Sequence, residues 1–280
     1  MRWRDGGRSG NLEDRRGGGG GGRRAGGLGF VGVLLALAIA WFTGADPRDV
    51  LNVANSLPAG AEADAGADTG IVDPAEEPMV RFLSAVLDDA QQGWAQRVRG
   101  YRDAKLVLFR GAVRSGCGDA SAAMGPFYCP ADEKVYLDLG FFDELDRRYG
   151  APGDFAQAYV LAHEVGHHVQ RILGTAERVR VDQEADPSQA NAASVALELQ
   201  ADCYAGVWAH AAAQRGDLEA GDLEEGLGAA SAVGDDRLQR EATGRVHPES
   251  FTHGTSEQRM EWFRRGFDSG DVLRCSMPRR

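Results

Sequence analysis

No C-x-x-C pair and no internal repeat occur in this 280-residue chain. The first absence argues against a Cys₄ zinc cluster, and the second sets aside a repeat architecture. Basic charge is also short. The net charge is −11, and seven Arg against Asp5, Glu13 and Asp14 give +4 before Ala25, leaving −15 for the rest. Nucleic-acid binding would want a basic stripe, so an acidic body argues against it. Only four cysteines are present, at 117, 129, 203 and 275. An even count suits disulfides in an oxidising compartment, with three connectivities open. The favoured one pairs Cys117 with Cys129 across a short loop and Cys203 with Cys275, each bond adding about 2–4 kcal/mol.

What is present begins with Leu161-Ala-His-Glu-Val-Gly-His-His-Val-Gln170. His163 and His167 stand four apart, one turn above each other on a single helix face. Two imidazoles so placed can grip one Zn²⁺ while Glu164 faces a water on the metal. The five-letter pattern alone also fits an amphipathic helix with two surface histidines. Here the segment Asp154 to Gln170 carries Phe155, Tyr159, Val160, Ala162 and Val165 and so reads as largely buried. Asp154 is its expected N-cap and Gly174 its expected stop. A buried helix seldom carries unpartnered His and Glu side chains. His168 points elsewhere around the helix and reads as a bystander.

A catalytic zinc site needs a third protein ligand. Glu198 and Asp202 are again four apart, on a helical segment running from Asn191 to about Gln214. Glu198 suits the third ligand, and Asp202 suits an acceptor for the outer nitrogen of a ligating His, which fixes the ring's tautomer. His210, His247 and His253 are the alternatives as third ligand. None completes an H-E-x-x-H-x-x-G-x-x-H run, because His167 is followed by His-Val-Gln-Arg-Ile-Leu. The two-His, one-Glu scheme is therefore preferred.

These residues resemble the bacterial neutral zinc metallopeptidase family of membrane-anchored proteins. The resemblance rests on Met1-Arg-Trp with Asn11-Leu-Glu-Asp-Arg-Arg16, on His163 to Gln170, on Leu197-Glu-Leu-Gln-Ala-Asp-Cys-Tyr-Ala-Gly206, and on Ser250-Phe-Thr-His-Gly-Thr-Ser-Glu-Gln-Arg259. It covers nearly the whole chain and implies a zinc-dependent peptidase without a defined substrate.

Residues 1–24, rich in Gly and Arg, read as a disordered tail. The uncharged run over 25–45 is long enough to span a bilayer. It reads as an uncleaved transmembrane anchor in preference to a cleaved signal peptide or a buried helix. The positive-inside rule then sets the N-terminus in the cytoplasm and the remainder outside the cell membrane. Residues 46–75 read as an acidic flexible linker, and 76–280 as one metallopeptidase domain large enough for a core. The expected fold is α+β, a mostly helical gluzincin-like domain with a small antiparallel sheet behind a single transmembrane helix. Helices are expected at 78–98, 141–148, 154–170, 191–214 and 256–267, the last with Thr255 and Gln258 as a capping box, and a Gly-interrupted helical stretch over 218–241. Strands are expected at 105–109 and 134–139, the second as the edge where an extended peptide could add.

The implied chemistry is peptide-bond hydrolysis with Zn²⁺ on His163, His167 and Glu198 and with Glu164 as general base. His253 is the first candidate for a second oxyanion donor and His247 the next, although His253 could equally cap or pack at the last helix. Arg259 could buttress that loop or pair with Asp202. The expected partner is a peptide or protein substrate. A zinc amidase acting on cell-wall peptides and a non-catalytic scaffold are the competing functions.

Overall fold

In the computed structural model, which describes residues 1–17 and 72–277, helix α1 (Glu77–Arg97) buries Val80, Leu83, Leu87, Ala90 and Trp94 along one face. That spacing is the i, i+3, i+7 stripe of an amphipathic helix. Four strands follow the order β1 (Leu12–Asp14), β2 (Lys105–Phe109), β6 (Lys134–Asp138), β5 (Phe127–Cys129). A separate hairpin pairs β3 (Ala112–Ser115) with β4 (Gly118–Ser121).

The sheet is mixed, which corrects the antiparallel expectation. β2 and β6 run parallel, with Leu106 opposite Val135 and Leu108 opposite Leu137. A parallel neighbour needs a long crossover, and the hairpin together with β5 occupies the connection. β5 then turns tightly into β6 and pairs with it antiparallel. The edges are therefore β1 and β5, and β6, expected as the edge, lies inside the sheet.

The helices that follow are α2 (Gly140–Arg147), α3 (Asp154–Ile172), α4 (Thr175–Ala185), α5 (Ala190–Gln214), α6 (Asp222–Ala232), α7 (Asp235–Thr243) and α8 (Ser256–Ser269). α3 runs through the core with Phe155, Tyr159, Leu161 and Val165 buried. Its N-cap is Gly153, not Asp154, whose carboxylate instead accepts the Met1 ammonium at 2.9 Å. The Gly-interrupted helical stretch expected over 218–241 divides at Gly234 into α6 and α7. A Cβ there would lie 2.4 Å from the Ser256 backbone nitrogen, so the chain passes tightly under the start of α8. The Thr255–Gln258 capping box is formed. Both disulfides, Cys117–Cys129 and Cys203–Cys275, are present.

The first seventeen residues are part of the folded body, which corrects the disordered tail over that range. β1 pairs parallel with β2, and Trp3 meets Phe82 edge-on at 5.6 Å. Arg16 is buried on Asp14 and on Glu76 at 2.6 Å. A Gly- and Arg-rich composition hid these few apolar anchors and the carboxylates that receive the arginines.

The same pairing corrects the anchor. β1 precedes the apolar run 25–45 and β2 follows it, yet they are neighbours in one sheet. A single bilayer crossing between them would put them on opposite sides. Among the described residues no helix is long and apolar enough to cross a membrane. The 25–45 segment and the linker as far as residue 71 lie outside the described residues. The single-pass anchor is withdrawn, and with it the membrane location and the extracytoplasmic placement of the domain.

Candidate metal centre

α3 and α5 cross closely enough to bring their polar side chains together. Gly166 makes the crossing possible, since a Cβ there would sit 3.0 Å from the Ala201 carbonyl oxygen. Across this contact His163 Nε2 lies 3.2 Å from Glu198 Oε2, and His167 Nε2 lies 3.4 Å from Glu198 Oε1. The two imidazole planes stand at 90° with centroids 4.8 Å apart.

This spacing can be tested against a metal. Ligands at about 2.0–2.1 Å from a tetrahedral zinc lie about 3.3 Å from one another. The imidazole-to-carboxylate separations match that edge. One donor atom from each of His163, His167 and Glu198 lies within 4.8 Å of the others, and all three are nitrogen or oxygen donors of the kind zinc takes. The residues fit the ion.

Both outer nitrogens are held. His163 Nδ1 donates to Asp202 Oδ1 at 2.8 Å, and His167 Nδ1 donates to Gln170 Oε1 at 2.9 Å. Asp202 is fully buried and also receives Tyr159 Oη at 2.5 Å, Arg259 Nε at 2.8 Å and Arg259 Nη2 at 3.0 Å. Its Arg259 pairing is one of the two roles considered for that arginine. Arg259 Nη2 is also 3.3 Å from His163 Nδ1. With the Nδ1 hydrogen given to Asp202, that is proximity between two donors and not a bond.

The electrostatics follow from burial and partners. Burial pushes His163 down, but the Asp202 carboxylate beside it and the bond to Glu198 outweigh this and bring it up to about 10. Burial likewise opposes the charge on Glu198, and His167 and His163 outweigh it, holding Glu198 well below the usual carboxylate range. Asp202 is pushed up by burial and brought below its ordinary value chiefly by the Arg259 guanidinium. Glu164 differs. Burial raises its carboxyl, and the neighbouring histidines offset this only in part.

A cavity of about 390 Å³ opens over these groups, with Glu164, His253 and Arg259 on its wall beside apolar side chains such as Phe141, Val160 and Leu197. His253 is brought to the site, and His247 is not among the lining residues. Nor is His210, which instead donates from Nδ1 to the Phe267 carbonyl at 2.6 Å.

Three further residues escaped the sequence reading. Asp235 accepts the backbone N–H of Thr252, His253 and Gly254 at 2.7, 2.6 and 3.1 Å, and its other oxygen lies 3.1 Å from His253 Nδ1. Burial opposes protonation of His253, and Asp235 outweighs it, raising the imidazole above its ordinary value. Gln170 orients His167 from three residues away, a helical spacing visible in the sequence. Tyr128, on the edge strand β5, bonds His168 Nδ1 at 2.9 Å while His168 Nε2 donates to the Arg102 carbonyl at 2.7 Å. His168 is thus a tie between α3 and the strand beside the cavity.

Comparison with known proteins gives the family. The sequence profile of the family described as "Putative neutral zinc metallopeptidase" matches residues 1–277. The chain is 46% identical over 288 residues to the "Uncharacterized protein YpfJ" of Escherichia coli (strain K12), covering 99% of this chain and 98% of that protein. It is 44% identical over 193 residues to the "Uncharacterized protein Mb2605" of Mycobacterium bovis, covering 65% of this chain and 64% of that one. No solved structure matches.

Proposed function

The chain belongs to the neutral zinc metallopeptidase family, and from that premise we propose that it hydrolyses peptide bonds with zinc held by His163, His167 and Glu198 and with Glu164 as general base. The observation that carries this reading is the gathering of the three donors within 4.8 Å, with both imidazole nitrogens a tetrahedral edge from the Glu198 carboxylate, next to buried Glu164 in an open cavity. A zinc ion there would supply Lewis acidity, acidifying water and polarising the substrate carbonyl.

The chain's own residues do the rest. Glu164, raised by burial, takes the proton of the attacking water and delivers it to the leaving amine. Asp202 and Gln170 hold the two imidazoles in the tautomer that presents Nε2. His253, fixed by Asp235, faces the cavity as a donor for charge developing on the carbonyl oxygen. β5, the edge strand held to α3 by the Tyr128–His168 bond, offers the unpaired strand edge along which an extended substrate can lie. An acyclic polypeptide in extended form is the substrate class that suits such an edge.

The test is zinc content together with cleavage of an unfolded protein. Glu164→Gln should keep its zinc and lose about 10²–10⁴-fold in rate, whereas Glu198→Ala should lose the metal. Equal cleavage by wild type and Glu164→Gln would reject the assigned base.

A further inference from the structure

We propose that Gln170 and Gln200 form a positioning relay that joins His167 to the Cys203–Cys275 disulfide, so that the oxidised pair of cysteines tightens zinc binding. The proposal rests on the reading of His167 as a zinc ligand.

The relay is continuous. His167 Nδ1 donates to Gln170 Oε1 at 2.9 Å. Gln170 Nε2 carries two hydrogens and gives one to the Leu197 carbonyl at 2.7 Å and one to Gln200 Oε1 at 3.1 Å. Gln200 Nε2 donates to the Cys275 carbonyl at 3.0 Å. Cys275 is bonded to Cys203.

The direction of every bond follows from its ends. Leu197 and Cys275 offer backbone carbonyls, which only accept. Both amide nitrogens must therefore face those carbonyls, and Gln170 Oε1 must face His167. An oxygen there requires the hydrogen of His167 to sit on Nδ1, which leaves the Nε2 lone pair directed at Glu198 and the metal position. The last carbonyl of the relay thus helps set the tautomer of a residue 108 positions earlier in the chain, as residue numbers 167 and 275 give it.

Burial gives the arrangement its consequence. Gln170, Gln200 and Cys275 are 1%, 4% and 0% exposed, so water cannot readily stand in for a partner that moves away. Cys203 lies on α5, the helix that also carries Glu198, Gln200 and Asp202. The bond to Cys275 pins the short 3₁₀ turn Val272–Cys275 against that helix. Reduction by a dithiol would pass two electrons and two protons to the bond, giving two cysteine thiols and leaving the dithiol as its own disulfide. The turn would then be held by packing, by its chain connection to α8 and by the Gln200 bond alone, and the Cys275 carbonyl would be freer to leave Gln200.

The test reads zinc affinity of the full chain by competition with a chromophoric chelator, with a thermal melt of each variant alongside. Gln170→Leu and Gln200→Leu should each weaken zinc about 10–100-fold, the range for loss of a group that orients a ligand. Cys203→Ala/Cys275→Ala should weaken it too, and adding Gln200→Leu to that pair should cost less than in the wild type, because both act through one relay. Cys117→Ala/Cys129→Ala, which removes the other disulfide, should leave the affinity unchanged. Wild-type affinity in Gln200→Leu overturns the proposal, and this variant decides even if the cysteine pair fails to fold. Additive losses or an equal loss on removing Cys117–Cys129 overturn the link to the disulfide. Zinc binding that responds as expected without any peptide cleavage would sink the peptidase reading and leave the relay standing.

Discussion

Asp235 accepts three successive backbone N–H groups and still has an oxygen beside His253 Nδ1. Its carboxylate is therefore both the floor of the loop and the orienting partner of the imidazole. If His253 donates to the developing oxyanion, His253→Ala should lower kcat about 10²–10³-fold with KM little changed and zinc retained. Asp235→Asn keeps an accepting oxygen and loses the charge, so its loss should be smaller. Asp235 raises His253; without that charge the protonated donor is lost at lower pH, and the alkaline limb of the kcat profile should move down. Steady-state kinetics across pH checks both, and a wild-type profile in Asp235→Asn would remove Asp235 from the mechanism. At this scale the sequence was most legible where spacing is local. His163, Glu164 and His167 share one helix turn, and Glu198 and Asp202 share another, so helical periodicity alone grouped each set. Asp235 left no such trace, because its partners lie 17–19 residues onward in a loop whose path is set by tertiary packing.

Between elements, α5 and α8 touch backbone to backbone. A Cβ on Gly266 would stand 1.9 Å from the Cys203 carbonyl oxygen, and one on Gly206 would stand 2.0 Å from the Phe263 carbonyl oxygen. This contact brings Arg259 onto Asp202 and so reaches His163 through one carboxylate. Two effects compete in Gly266→Ala. Helix propensity would gain about 1 kcal/mol, and overpacking costs about 1–3 kcal/mol. The blocking atom is backbone and cannot rotate away, so the clash wins. A urea melt should show net destabilisation, with weaker zinc binding as α8 shifts; unchanged stability would mean that the helices can separate at no cost. The helices themselves were readable from apolar stripes and caps, and β2 and β6 from β-branched and aromatic runs. Strand direction was not. Parallel or antiparallel pairing depends on how the connection between strands travels, which composition does not encode. That glycine interrupts the 218–241 stretch was legible, but which glycine was not, because the reason for Gly234 lies in a residue of another element, Ser256.

For the molecule as a whole, the amino-terminal segment is held by charge as well as by strand pairing. Asp14 takes hydrogen bonds from Arg16 and an ion pair from Arg8, and the Arg16 contact, against some burial, brings it down to about 2 from 3.8. A carboxyl lowered by folding adds stability that is complete above its unfolded value and is lost as pH falls through the folded one. Hydrogen exchange at the β1 amides, corrected for intrinsic rates, should therefore rise as pH drops from about 4 towards about 2. Asp14→Asn should abolish most of that dependence; an unaltered acid response would assign the loosening to other groups. This segment was the least legible part of the chain, since its glycines and arginines suggest disorder until the receiving surface is known.

The Arg16–Glu76 contact has one more consequence. It fastens residue 16 to residue 76 at 2.6 Å. The described body is thus assembled from two stretches, far apart in sequence, that meet in space. In binding terms the first seventeen residues are a ligand for the remainder. They bring their own strand, their own aromatic plug in Trp3 and their own arginine clamp.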